Sequence, residues 1–146
     1  MTIRWRDLIL PEDCFDEAKL LAEWQFLLKR DDLQVILVTT LGDVFFQDVD
    51  DAVYLLDMSE GTFEKVITHS KHFEEALKNN DLVMEWFMPD IVEKLTIKFP
   101  IRSKASCFTM ITLPPDGGQY KDDNYSFALF TEHSSRLAIY YKQKKA

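Results

Sequence analysis

The stretch Gly42–Asp57, GDVFFQDVDDAVYLLD, places five aspartates among aromatic and β-branched residues. DVFFQ (43–47) and AVYLLD (52–57) have strand composition. The DVDD between them has the chemistry of a tight reversal, where Asp is favoured. Upstream, LQVILVTT (33–40) is apolar at nearly every position, which predicts a central, covered strand. Downstream, TFEKVI (62–67) follows the polar break MSEG, where Gly61 can take the left-handed backbone of a tight turn. Four strands joined by breaks too short for a crossover helix describe an antiparallel meander.

Helices are predicted around it. After Pro11 and Glu12, residues Leu20, Leu21, Trp24, Leu27 and Leu28 form one apolar stripe, closed by RDD at 30–32. SKHFEEALKN (70–79) starts at a plausible N-cap, Ser70, and DLVMEWFMPDIVEKL (81–95) at Asp81. In the latter, Val83, Phe87, Ile91 and Leu95 repeat every fourth residue, and Pro89 must kink or split the helix. SCFTMITL (106–113) and YSFALF (125–130) read as strands around a turn-rich loop, PPDGGQYKDDN. A last helix from about Thr131 carries His133, Leu137, Tyr140 and Tyr141 on one face, and Trp5, Trp24 and Trp86 are expected in or near the core. The fold class is α+β, an antiparallel sheet with helices packed on it, in a single domain over residues 1–146.

Composition narrows the functions. Seventeen Lys and Arg against twenty-five Asp and Glu give a net charge of −8. That sign disfavours direct nucleic-acid binding, which rests on cations displacing counterions, and suits a basic protein partner instead. No apolar run reaches the roughly 20 residues that span a bilayer, and no signal peptide is evident before Pro11, so cytoplasmic residence is expected. Cys14 and Cys107 lack C-x-x-C spacing and read as free thiols.

The aspartates are the first candidates for chemistry. Counted from Asp48, a calcium loop would need Gly at Val53 and Glu at Ser59, so the pattern fails. Turn residues are the better reading, with Asp43 and Asp57 as hairpin corners. His69 and His72 are three apart, but no Cys or carboxylate completes a tetrahedral set. His133 reads as a half-buried helix residue making one hydrogen bond. Nucleophile elbows and phosphate loops are absent, and Gly117-Gly118 lacks the phosphate-loop spacing. No metal or cofactor is expected. An enzymatic alternative, a small hydrolase or ligand-binding enzyme using the Gly117-Gly118 loop and His133, requires a pocket that joins that histidine to a carboxylate.

Two stretches carry a resemblance. LVTTLGDVFFQDVDDAVYLLDMSEGTFEKV, followed by EEAL and MEWFMPDIVEKL, and later LPPDGGQYKDDN with His133 and Gln143, resemble a widespread bacterial domain long catalogued as of unknown function. That domain is associated with the C-terminal part of type VI secretion DNase immunity proteins. The likeness runs from about Trp24 to Gln143, and it departs at Ala52, Ala138 and Tyr141, where the family has Gly, Gly and His. It implies a non-catalytic protein that neutralises a co-encoded toxin by direct binding. Asp48, Asp50 and Asp51 of the hairpin, with Tyr120, Asp122, Asp123 and Asn124 of the long loop, are the expected contacts, since loops on a rigid sheet commonly carry recognition. A housekeeping adaptor that binds some other protein is the remaining alternative.

Overall fold

Strands β1 (Gln34–Val38), β2 (Val44–Gln47), β3 (Val53–Asp57) and β4 (Thr62–Ile67) pair antiparallel in chain order. This is the predicted meander, seen in a computed structural model that describes residues 3–145. Two further strands, β5 (Ser106–Met110) and β6 (Tyr125–Leu129), form a separate antiparallel pair. One backbone bond joins this pair to the meander, from Phe108 N–H to the Thr40 carbonyl at 2.8 Å.

Six helices pack around these sheets: α1 (Trp5–Leu8), α2 (Glu17–Leu28), α3 (Phe73–Ala76), α4 (Asn80–Phe87), α5 (Pro89–Lys98) and α6 (Phe130–Lys144). Local chemistry sets their ends. Asp16 caps α2 by accepting from Lys19 N–H, and Lys29 closes it in the left-handed region at φ 55°. Asn79, rather than Asp81, caps α4, and Ser70 lies inside a short 3₁₀ turn capped by His69. Pro89 splits the long apolar segment as expected: Met88 turns to φ 46° and Pro89 begins α5, where its missing N–H costs nothing. None of these helices is long and apolar enough to cross a membrane.

The inner strands are β2 and β3, and in β2 Val44, Phe45 and Phe46 are all fully buried. LQVILV is instead the edge, a correction to the covered central position its composition implied. Its apolar residues are explained by the neighbouring chain. Ile9 bridges to Thr39, Leu10 N–H bonds the Val38 carbonyl, and Glu17 accepts from Val35 N–H, so the edge is capped without a full strand. Phe45 meets Phe73, Trp86 and Phe87 through ring contacts of 5.2–5.8 Å. Trp24 is wholly buried, and its indole N–H donates to Ser134 Oγ at 3.0 Å, tying α2 to α6. Trp5 departs from expectation. It lies edge-on to Phe87 but keeps 44% of its surface exposed, because it is on the outer short helix.

Candidate functional site

In a meander, alternate turns fall at the same end of the sheet. The β1–β2 turn therefore lies beside the β3–β4 turn, and their acids converge. Gly42 makes the first turn at φ 85°, with its N–H on the Thr39 carbonyl. No side chain fits there, since a Cβ would stand 2.2 Å from His133 Nε2. Gly42 also presents its carbonyl 3.2 Å from that nitrogen. Asp43 follows, and its Oδ1 accepts from Met58 N–H at 3.0 Å, linking the two turns. In the second turn, Asp57 Oδ1 accepts from Glu60 N–H. Gly61, at φ 68°, packs on the Tyr141 ring, whose hydroxyl donates to the Ser59 carbonyl.

Asp43, Asp57 and Glu60 open into a cavity of about 330 Å³. Its far walls are Met84, Glu85, Trp86 and Met88 at the end of α4, with Tyr120 and Tyr125. Tyr120 donates its hydroxyl to Glu60, joining the long loop to the meander. Burial, reinforced by the charges of Asp57 and Glu60, pushes the Asp43 carboxyl well above the usual range. Asp57 is raised for the same reasons, burial first and then Glu60. The Tyr120 hydroxyl is held protonated by burial and by its bond to Glu60. Among the described residues no Lys, Arg or His forms an ion pair with Asp43, Asp57 or Glu60. The pocket thus gathers unneutralised carboxylates beneath aromatic faces and thioethers, surroundings in which a guanidinium or ammonium gains from both charge and π contact. The described residues contain no group of three His, Cys, Asp or Glu placed to hold a metal ion.

The residues expected at an interface divide. Asp48 is buried: Oδ1 accepts from Asp50 and Ala52 N–H, and Oδ2 accepts from Arg30 at 3.2 Å. Burial pushes its carboxyl up, but these donors outweigh that and hold it below the ordinary range. Asp50 is exposed, while Asp51, at φ 65°, takes the left-handed position of the hairpin and accepts from Gln47. Asn124 is committed to the loop, bonding Thr112 through both backbone groups and Gln119 through its carbonyl. Asp122 and Asp123 are exposed beside Tyr120 in sequence. The Asp48–Ala52 hairpin stands at the other end of the sheet, about 14 Å of strand away from the pocket.

His133 is 1% exposed rather than half-buried. Nε2–H donates to the Gly42 carbonyl and Nδ1 accepts from Thr109 Oγ at 2.8 Å, the tautomer that the carbonyl requires. Neither nitrogen is free, no carboxylate partners it, and solvent does not reach it. It is a latch for the Gly42 turn and not a base. Gly118 packs against the Thr112 carbonyl, also a structural role. Comparison of the chain with models of known protein families and with curated proteins finds no match.

Proposed function

We propose that this chain is a cytoplasmic, non-catalytic binding protein that neutralises a basic toxin domain, of DNase type, by direct contact. The observation that carries the reading is the convergence of Asp43, Asp57 and Glu60, without a neutralising cation, in a pocket walled by Trp86, Tyr120 and Tyr125. An exposed Arg or Lys of the partner is the natural occupant, since a cation entering the pocket relieves repulsion already present in the free protein. The net charge of −8 supports the reading by steering a cationic surface toward this one. So does the resemblance to immunity domains along Trp24–Gln143.

On this reading the contact surface is the pocket with Tyr120, Asp122 and Asp123. Asp50 and Asp51 stand at the other end of the sheet, outside this pocket, and Asp48 and Asn124 serve the fold. The test is calorimetric titration against the product of the adjacent reading frame. Nanomolar binding with loss of that protein's activity is expected. D43N/D57N should weaken it more than tenfold, and D50N/D51N should leave it within about twofold. Absence of binding, or weakening by the hairpin variant alone, overturns the proposal.

A further inference from the structure

A second cleft, of about 780 Å³, lies between α1 and the loop leading into β5, and its charge is opposite to that of the chain. Arg6, Arg102 and Lys104 line it, with Asp7 the one carboxylate. Both walls are fixed. Thr40 N–H bonds the Leu8 carbonyl and Thr40 Oγ bonds that of Asp7, while Phe130 N–H bonds the Ala105 carbonyl and Ser103 Oγ accepts from Ala105 N–H.

Arg102 is the group without an internal explanation. Its guanidinium carbon lies over the Phe108 ring, 4.6 Å from the centroid. Yet its Nε–H is buried with no partner, and the side chain makes no ion pair among the described residues. A partly buried guanidinium is normally met by carboxylate or phosphate oxygens. Burial destabilises its charged form here, and Asp7 offsets this only in part. The Nη groups, which make no hydrogen bond among the described residues and are not buried, are where an oxyanion in the cleft would meet this guanidinium.

We propose that this cleft binds the phosphate group of a small organic phosphate monoester, with Arg102 as its principal ligand. Three cations against one carboxylate leave two net positive charges, matching a monoester dianion near pH 7 rather than a monocarboxylate. Arg6 and Lys104 are exposed at the rim, and the Ser103 and Ser106 hydroxyls add donors. Trp5, Leu10 and Pro11 form an apolar wall for the organic part. This site is separate from the acidic pocket and does not depend on the toxin reading.

The test is a ¹H–¹⁵N NMR titration that includes the arginine Nε–H signals, with phenyl phosphate as the probe and benzoate as comparison. Phenyl phosphate should give saturable shifts at Arg102 Nε–H and at the amides of Leu8–Leu10 and Ser103–Ser106. Benzoate should bind about tenfold more weakly. Arg102→Met, which keeps a long apolar stem over Phe108, should lower affinity by about tenfold or more. Lys104→Glu, at an exposed position that cannot unfold the chain, should lower it severalfold. Shifts scattered over surface lysines and indifferent to both variants would overturn the proposal, as would benzoate binding equal to that of phenyl phosphate.

Discussion

Replacing His133 with glutamine should abolish a specific part of the protein's sensitivity to acid. Burial first, and then the nearby Arg136 guanidinium, depress the imidazole to about 4 from its ordinary 6.5, although the Gly42 carbonyl bond opposes them. Between those two values the unfolded chain binds a proton that the folded chain refuses, so stability falls as pH falls. His133 therefore stabilises the fold fully above pH 6.5. The stabilisation drains away toward pH 4, a loss of about 3 kcal/mol at about 1.4 kcal/mol per unit. That is a large fraction of the 5–15 kcal/mol typical of a domain. Asp43 and Asp57 act with the opposite sign, since their raised carboxyls gain from protonation. They are present in both proteins and cancel in a difference. Glutamine can donate to the Gly42 carbonyl and accept from Thr109 without titrating. Urea denaturation of both proteins from pH 7.5 to pH 4 should show the wild-type advantage shrinking by about 3 kcal/mol. A difference constant within about 0.5 kcal/mol across that range would refute the reasoning. Because His133 holds the turn that carries Asp43, the same protonation should loosen the acidic pocket.

Asp43→Asn should stabilise the protein at pH 8 and give no gain at pH 3, where the carboxyl is already neutral. Thermal unfolding at the two pH values checks the sign. Asp48→Ala should cost about 1–3 kcal/mol, read from the denaturation midpoint, because it leaves the Asp50 and Ala52 amides without their acceptor, while Arg30 keeps Asp32 and Tyr54. Gly61→Ala should cost about 3 kcal/mol or more, since its Cβ would stand 2.4 Å from the Tyr141 ring at φ 68°. Gly117→Ala, equally left-handed but facing open space, should cost only about 1 kcal/mol in the same assay, isolating the packing share.

What the chain disclosed in advance follows from locality. Strand runs, the Gly61 turn, the break at Pro89 and the His133–Leu137–Tyr141 face depend on residues within one turn or one strand of each other, and they read directly. The edge position of Gln34–Val38 did not, because whether an apolar strand is central depends on what covers it, and here that is Ile9–Leu10 from a distant segment. Asp48 and Asp50 look alike in sequence, yet one is buried under two amides and a guanidinium while the other faces water. Only the direction of each side chain from the hairpin separates them. Arg102 offered no signal at all, since an unpartnered donor is defined by what fails to approach it.

The acidic pocket lay between these cases. Reading Asp43 and Asp57 as hairpin corners was compatible with the pairing, but it treated each corner alone. Parity supplies the missing step: in a four-stranded meander the first and third turns share an end, so acids placed in both must repel unless something separates or neutralises them. Here Asp43 bonds Met58 N–H and Asp57 bonds Glu60 N–H, so each carboxylate is anchored to backbone and none to a cation. A fold indifferent to these charges would fare better with Asn or Ser at the same corners, which turn chemistry accepts equally well. Retaining the acids costs stability at neutral pH, a cost that the proposed cationic partner would offset on binding. The stability gain of Asp43→Asn and its loss of partner affinity should therefore appear in the same variant, the signature of a carboxylate placed for binding rather than for folding.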